Sequence, residues 1–255
     1  MKKIKSTGII FGDMHFPLHD EKAFSCALKV IEKVKPDVFI NLGDFAEGEY
    51  VSHWRWQRRK RPPLEYQLPL IDKEADEVNY HMDRIDKALD KVGCKKKYLA
   101  MGNHDAWYNQ FVDENPYLEQ YKPEKLFKIE ERGYEWYPYG ELFKVENSKL
   151  YAYHGGHYGC VNHARSTVQN LGCNVIYGHT HDCQRSVMQH ISGIHIAQSM
   201  GCLCKMKKDF LKGRKVNWTH NVGIVDFFTD GWFNLITLDI HNGMTTWNNK
   251  IIKGN

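Results

Sequence analysis

The first hundred residues alternate short apolar runs with longer amphipathic segments. Three apolar runs have the length of buried strands: residues 4–11, 37–42 and 97–101. Two segments between them repeat apolar positions at helical spacing: residues 21–35 and 71–92. Pro36 and Gly93 end these two segments. This order of elements predicts parallel strands, and a functional site then lies beyond the carboxyl ends of the strands.

After about residue 140 the pattern changes to short apolar segments with short connections. They predict strands at 142–154, 175–177, 184–190, 194–198, 223–228 and 233–240. One helix, at about 161–171, interrupts them. Two sheets packed face to face with flanking helices account for this pattern. No repeat, low-complexity region or linker divides the chain, so a single domain over residues 1–255 is predicted.

Composition is ordinary for a soluble globular protein, with 42% hydrophobic and 26% charged residues among 255. No apolar stretch approaches the ~18 residues that a membrane span needs. The first apolar run is too short for a signal peptide, so we expect a cytoplasmic protein without a membrane partner. The seven cysteines follow no framework spacing, which favours reduced, mostly buried thiols over a disulfide scaffold.

Five short clusters of metal-binding side chains recur along the chain, three of them directly after predicted strands. They are Asp13-Met14-His15, Gly43-Asp44, Gly102-Asn103-His104-Asp105, His154-Gly155 and Gly178-His179-Thr180-His181. This mixture of carboxylate, amide and imidazole ligands suits two adjacent first-row metals and a bridging hydroxide. Because such a hydroxide attacks phosphate esters near neutral pH, the pattern predicts a metal-dependent phosphoesterase.

Each cluster alone is a weak signal, since a Gly-Asp pair is most often a turn and two histidines can be exposed loop residues. All five clusters in order are hard to explain as turns. In content and order they resemble the calcineurin-like metallophosphoesterase superfamily over residues 8–200. The family's blocks are D-x-H, G-D-x-x-[DE], G-N-H-[DE], H-G and G-H-x-H. The resemblance implies a four-layer α-β-β-α sandwich of two mixed sheets with flanking helices.

The resemblance also implies which side chains hold the metals. The first metal would be held by Asp13, His15 and His181, the second by Asn103, His154 and His179, and Asp44 would bridge them. We expect two divalent ions at this site, manganese in preference to iron, nickel, zinc or cobalt, because a mixed shell of this kind suits transition metals better than magnesium or calcium.

Two catalytic residues are expected beside the ligands. The resemblance implies that His104 lies over the metals without binding them and protonates the leaving oxygen or stabilises the transferred phosphoryl group. Glu47 could hydrogen-bond His104 and raise its pKa, or it could be a solvated loop carboxylate. Asp105 is expected to cap the next turn rather than to take part in catalysis.

One departure from the family pattern narrows the substrate. The protein phosphatases of the superfamily continue the second block with an arginine that grips phosphate, and here Gly48 occupies that position. This difference disfavours a phosphoprotein phosphatase. The chain is therefore more similar to the phosphodiesterase and nuclease branches. Binding loops differ within these branches, so the substrate of one member does not predict the substrate of another.

A basic loop at about 48–69 follows the Gly-Asp block and should lie beside the metals. Its expected substrate contacts are Trp54, Arg55, Arg58 and Arg59, joined by His157 from the loop after His154. Cations there would attract a polyanion and tryptophan faces would stack bases, so nucleic acid or a nucleotide is the expected partner. Ordinary solvated surface is the alternative interpretation of the loop.

Two other functions remain open from the sequence. A small-molecule phosphomonoesterase or phosphodiesterase would use the same metal centre without the basic loop. A non-catalytic metal-binding scaffold is the less favoured alternative, because all seven ligands and His104 are present.

Overall fold

The first strand of the larger sheet buries side chains on both of its faces. In the computed structural model, which describes residues 3–57, 60–207 and 211–254, Ile9 and Phe11 of the first strand pack against helices. Ile10, between them, packs instead against a second sheet. Because successive side chains of a strand point to opposite faces, the uninterrupted apolar run of this strand serves two cores.

The strands of the described residues form two large sheets and a hairpin. In chain order they are β1 (Ile4–Phe11), β2 (Val38–Asn41), β3 (Lys96–Ala100), β4 (Tyr134–Tyr137), β5 (Phe143–Lys144), β6 (Leu150–Tyr153), β7 (Asn174–Tyr177), β8 (Arg185–His190), β9 (Gly193–Ser199), β10 (Asn221–Phe228), β11 (Phe233–Asp239), β12 (Met244–Trp247) and β13 (Lys250–Lys253). The larger sheet has the order β11-β10-β1-β2-β3-β4, and the second has the order β5-β6-β7-β9-β8. Strands β12 and β13 pair with each other.

Both sheets are mixed, and their parallel strands position the site. Strands β1 to β4 run parallel, whereas β10 pairs antiparallel with β1. In the second sheet β6, β7 and β9 are parallel and both edge strands are antiparallel. The five sequence clusters therefore follow the carboxyl ends of parallel strands β1, β2, β3, β6 and β7.

Helices cover the outer faces of both sheets. They are α1 (Glu21–Val34), α2 (His53–Trp56), α3 (Leu64–Val92), α4 (Asn103–Glu114), α5 (Pro123–Leu126) and α6 (His163–Leu171), with a short 3-10 turn at Glu119–Tyr121. Helices α1 and α3 pack on the outer face of the larger sheet, and Val168 of α6 packs on the outer face of the second. A third core, which includes Ile40 and Ile176, lies between the sheets. The predicted four-layer α-β-β-α sandwich is confirmed.

The boundaries of several predicted elements were wrong. Helix α3 begins at Leu64 rather than near residue 71 and contains Pro69, so the basic loop is shorter than 48–69 and carries the short helix α2. Leu64 and Leu68 pack against the core, and this burial outweighs the lost hydrogen bond of Pro69. The strand predicted at 142–154 is two strands, β5 and β6, joined by a turn.

Helix α4, strand β4 and the β12–β13 hairpin had not been predicted at all. Helix α4 begins at Asn103, in a polar cluster that hides the helical pattern that follows. None of the helices in the described residues is both long and apolar enough to cross a membrane.

Candidate metal centre

Four of the predicted ligands gather around one point at the carboxyl ends of the strands. His15 Nε2 lies 3.1 Å from His181 Nε2 and 3.7 Å from Asp44 Oδ2. His181 Nε2 also lies 3.2 Å from Asp13 Oδ1. Two ligands at ~2.1 Å from one ion are ~3.0 Å apart at a right angle and ~3.6 Å apart at 120°, so the distances of 3.1 and 3.2 Å fit the coordination shell of a single metal ion and that of 3.7 Å lies close to its upper end.

A second group of donors lies on the other side of Asp44. His154 Nε2 is 3.3 Å from Asp44 Oδ2 and 3.1 Å from Asn103 Oδ1. His179 Nδ1 is 2.8 Å from the same oxygen of Asn103. Since Asp44 Oδ2 belongs to both groups, the seven side chains form two donor sets that share one carboxylate oxygen. The residues present therefore fit a pair of metal ions bridged by Asp44.

Most of these side chains are placed by an unusual backbone conformation. Five residues have φ in the left-handed region: Asp13 at 51°, His15 at 51°, Asp44 at 48°, His179 at 70° and His181 at 60°. Such a conformation costs a residue with a side chain on the order of 1–2 kcal/mol, so the surroundings must hold it in place. Hydrogen bonds from Asp13 N to Gly43 O (3.0 Å) and from His15 N to Asp44 O (2.8 Å) tie the loops after β1 and β2 together.

Two glycines let the loop after β2 and the loop after β3 approach each other closely. A Cβ at Gly43, whose φ is +94°, would lie 2.5 Å from the carbonyl oxygen of Ala100, and one at Gly102 would lie 2.0 Å from Asp44 Oδ1. The buried carboxylate of Asp105 accepts hydrogen bonds of 2.8 Å from both Gly102 N and Asp44 N. Asp105 thus caps the start of α4, as predicted, and also holds the loop of the bridging residue.

The charges of the site favour a cation. Burial by itself lowers the pKa of His154, but the charge and hydrogen bond of Asp44, together with the charge of Asp13 and the hydrogen bond to Leu42, outweigh it and raise that pKa to about 9. Burial likewise opposes protonation of His181, whose pKa Asp13 raises to about 10. In turn these histidines hold the pKa of both buried carboxyls below its ordinary value. Without metal, protons on the imidazoles balance the carboxylates, and a metal ion would have to displace those protons.

Comparison with known proteins agrees with this geometry. The family model of the calcineurin-like phosphoesterases matches residues 9–183, which is more than half of the 255 residues. The chain belongs to this family. No curated protein matches it.

The chain is also similar to two solved structures. The phosphoesterase Yfce from E. coli is 16% identical, with a TM-score of 0.43 over 90% of this chain and 98% of that chain. Vps29 from Chaetomium thermophilum is 8% identical, with a TM-score of 0.45 over 97% of this chain and 96% of that chain.

His104 lies beside the first donor set, and its hydrogen bond to Glu47 reaches the backbone carbonyl oxygen of that residue. One nitrogen of His104 lies within 4.8 Å of ligand atoms of His15 and Asp44. Its Nδ1 is 2.6 Å from the backbone carbonyl oxygen of Glu47, and the Glu47 carboxylate lies 3.0 Å from His15 Nδ1. Burial lowers the pKa of His104 to about 4, because it outweighs the charges of Asp44 and Glu47, both of which raise that pKa. The predicted direction of the Glu47 effect therefore holds, but its size does not decide the pKa.

The structure describes three of the five side chains that were predicted to contact the substrate. Trp54 is 68% exposed on α2 and is available for contact. Arg55 is ion-paired with Glu49. Its guanidinium also lies 5.2 Å from the ring centre of Tyr50. Arg58 and Arg59 lie outside the described residues. His157 is exposed, and its ring stacks 5.5 Å from that of Tyr153.

Three aromatic side chains pack on histidines of the centre. None of these contacts had been predicted from the sequence. Ring centres of Trp107 and His104 are 3.9 Å apart, those of Trp218 and His181 4.4 Å, and those of Tyr139 and His154 5.9 Å. Trp107 lies one turn after His104 on α4, so recognising that helix would have found it. Tyr139 follows β4 and carries no sequence signal.

The close approach of Gly102 to Asp44 leads to a test. In Gly102→Ala the added methyl group displaces the bridging carboxylate, and we expect bound manganese to fall from two ions per chain to one or none. Overpacking of this kind also costs ~1–3 kcal/mol of stability. Elemental analysis after equilibrium dialysis measures the metal content. Gly159→Ala is the control, because nothing lies within 4 Å of its Cβ position. If Gly102→Ala still binds two manganese ions per chain, the close approach of Gly102 does not determine the position of the Asp44 carboxylate.

A buried carboxyl beside the centre leads to a second test. Glu74 is 4% exposed on α3, and its Oε1 accepts a 3.1 Å hydrogen bond from Glu49 N. Burial, and then the charge of Glu47, raise the pKa of Glu74 from 4.5 to about 8. Between these two pH values the unfolded chain ionises at this position while the folded chain keeps its proton. The contribution of Glu74 to the free energy of unfolding of the wild type is therefore greatest below pH 4.5 and falls as the pH rises to about 8.

Glu74→Gln removes this loss, because the amide has the same shape and no charge. The melting temperature of the variant should exceed that of the wild type by an amount that grows by roughly 3–5 °C per pH unit between pH 5 and pH 8, because each unit costs the wild type ~1.4 kcal/mol and a chain of this size shifts by ~2–4 °C per kcal/mol. Glu77→Gln, an exposed position on the same helix, should follow the wild type at every pH. Parallel melting profiles of Glu74→Gln and the wild type would contradict the raised pKa.

Proposed function

We propose that this chain is a metal-dependent phosphoesterase that hydrolyses phosphodiesters of nucleic acids or nucleotides. The observation that carries the proposal is the shared position of Asp44 Oδ2, 3.7 Å from His15 Nε2 in one donor set and 3.3 Å from His154 Nε2 in the other. Membership of the calcineurin-like phosphoesterase family supports the reaction class. Two divalent ions at such a site supply Lewis acidity and a hydroxide nucleophile near neutral pH, and manganese is our first choice.

The hydrogen bonds of His104 determine which of its ring nitrogens can contact the substrate. His104 Nδ1 donates to the carbonyl oxygen of Glu47 (2.6 Å), because a carbonyl oxygen only accepts. His104 N also donates to Asp44 Oδ1 at 2.9 Å. These bonds fix the ring and leave Nε2 for the substrate. Nε2 carries a hydrogen only when the ring is protonated, and burial lowers the pKa of the ring to about 4. In the proposed mechanism the negative charge of a bound phosphoryl group raises that pKa, and the protonated Nε2 then hydrogen-bonds a phosphoryl or leaving-group oxygen and gives its proton to the departing oxygen.

Aromatic surfaces favour a substrate with a planar group. Trp107, Tyr139 and Trp218 pack on three different histidines of the centre, and Trp54 is exposed on α2. Aromatic side chains bind bases by stacking with little dependence on sequence. The formal net charge of +4 suits a polyanionic partner. We therefore place nucleic acid or a nucleotide ahead of other phosphoesters.

A small phosphoester is the second candidate, and the charges around α2 favour it. Arg55 is paired with Glu49 and Arg61 with Glu114, so neither is a free cation for a phosphate backbone. A cavity beside the centre is lined by Lys73 and by four glutamates, Glu47, Glu49, Glu74 and Glu77. Because Glu74 keeps its proton up to about pH 8, three carboxylates face one ammonium group, and the lining carries a net negative charge. Such a wall repels a long polyanion but leaves room for one phosphoryl group at the metals.

The deciding experiment assays the purified protein, loaded separately with manganese, nickel, zinc or magnesium, on aryl phosphomonoesters, bis-aryl phosphodiesters, cyclic nucleotides and labelled oligonucleotides. Asp44→Asn should lose more of kcat/KM than the ~10–100-fold that loss of an outer-shell partner costs. Asp76→Asn, the same change at an exposed position of α3, should keep wild-type activity. Equal activity of wild type and Asp44→Asn on every substrate would refute the metal mechanism.

The same panel separates the two substrate classes. The triple variant Trp54→Ala/Arg58→Ala/Arg59→Ala should raise KM for oligonucleotides at least ~10-fold and leave the bis-aryl substrate unaffected. Lys250→Ala/Lys253→Ala removes two exposed charges from β13 and is the control for net charge. Unchanged oligonucleotide kinetics in the triple variant, together with efficient turnover of small phosphoesters, would favour the second candidate.

A further inference from the structure

Three histidines of the centre each direct a second ring nitrogen away from the metals toward a different partner. His154 Nδ1 lies 2.7 Å from the carbonyl oxygen of Leu42. His15 Nδ1 lies 3.0 Å from a carboxylate oxygen of Glu47. Such outer partners fix the tautomer and orientation of a metal-binding imidazole. Both of these partners are oxygen atoms of the kind usual around metal sites.

The partner of the third histidine is a cysteine. His181 Nδ1 lies 3.7 Å from Cys204 Sγ, a distance within the range of hydrogen bonds to sulfur. Its other nitrogen, Nε2, lies 3.1 Å from His15 Nε2 and 3.2 Å from Asp13 Oδ1. One side of the ring therefore faces the first donor set, and the other side faces the thiol group.

The backbone around this cysteine is fixed against the ligand loops. Cys204 is fully buried, and its carbonyl oxygen lies 2.7 Å from His220 Nε2. On either side of it, Leu203 N donates to the carbonyl oxygen of Asp13 at 3.2 Å and Lys205 N donates to that of Leu18 at 2.9 Å. The sulfur atom is thus held in one place relative to the loop that carries Asp13 and His15.

We propose that Cys204 is a positioning residue for the first metal: its sulfur accepts the Nδ1 hydrogen of His181 and so presents Nε2 to the ion. An imidazole nitrogen that carries a hydrogen cannot bind a metal, so the hydrogen must be on Nδ1 and needs an acceptor there. Within the described residues, the sulfur of Cys204 is the acceptor that lies within hydrogen-bonding distance of that nitrogen. The inference rests on the proposed metal centre.

Direct binding of the metal by the cysteine is the competing arrangement. Ligand atoms of His15, His181 and Cys204 lie within 4.8 Å of one another, so the geometry also allows a thiolate bond to the ion. The two arrangements predict different spectra. A cobalt-loaded protein with a bound thiolate shows an intense sulfur-to-metal absorption band, and one with only nitrogen and oxygen ligands does not.

The experiment measures metal affinity and the tautomer of His181 in the full-length protein. In Cys204→Ala we expect affinity for the more tightly bound of two zinc ions, measured by competition with a chromophoric chelator, to fall ~10–100-fold. Cys204→Ser should recover part of the loss, because a hydroxyl oxygen can accept the same hydrogen. Nitrogen-15 correlation spectra of the zinc-loaded protein should show His181 with its hydrogen on Nδ1 in the wild type.

Cys26→Ala is the matched control, since Cys26 is also buried and its sulfur makes a 3.7 Å contact, to the carbonyl oxygen of Ile252. Zinc affinity should be unchanged in this variant. Equal zinc affinity in Cys204→Ala and the wild type, or an intense sulfur-to-cobalt band, would overturn the positioning role. Metal binding without phosphoester turnover would refute the proposed function and leave this inference standing.

Discussion

One carboxylate oxygen between two groups of donors is the constraint on which the rest of the site depends. Asp44 Oδ2 can reach both His15 and His154 only if the loops after β2 and β3 almost touch. They can touch because Gly102 lacks a side chain where a Cβ would lie 2.0 Å from Asp44 Oδ1. The carboxylate of Asp105 then holds the two loops together through their backbone N–H groups. Local backbone geometry therefore sets the spacing of the centre.

Electrostatics explains why this arrangement suits metal ions. Asp13 and Asp44 are almost fully buried, and a buried carboxylate is stable only beside positive charge. In the protein alone, histidines supply that charge, which is why the pKa of His154 is raised to about 9 and that of His181 to about 10. Divalent ions would satisfy the same carboxylates and leave the imidazoles neutral. Five of the seven donor residues have a left-handed backbone conformation, which costs free energy. These interactions offset that cost.

The sequence was most informative where residue type and order determine chemistry. The residues of the two donor sets and Asp105 were found from five short clusters, because carboxylate, amide and imidazole side chains that recur after strands are of the kinds that transition metals bind. Helix α4 was missed because its first turn, Asn103 to Asp105, consists of polar residues with functional roles. The start of α3 was missed because Pro69 resembles a helix boundary, whereas packing of Leu64 and Leu68 extends the helix past it.

Contacts made across the fold could not be predicted in the same way. The ring of Trp218 on His181, and the sulfur of Cys204 on the same residue, join positions separated by one or more strands in the sequence. The sequence had indicated only a buried thiol at Cys204. Similarly, the sequence left open whether Glu47 hydrogen-bonds His104 or is a solvated loop carboxylate. In the structure its backbone carbonyl oxygen accepts the hydrogen bond from His104 Nδ1, and the position of that oxygen depends on the loop conformation.

Electron paramagnetic resonance of the manganese-loaded protein tests the central claim most directly. With a bridging carboxylate the two ions would lie ~3.5–4 Å apart, which is close enough for their electron spins to couple. The account predicts that the protein takes up two manganese ions per chain and that the fully loaded sample gives the multiline spectrum of a coupled pair. Saturation at a single ion, or two ions with the spectrum of isolated manganese, would contradict a centre bridged by Asp44.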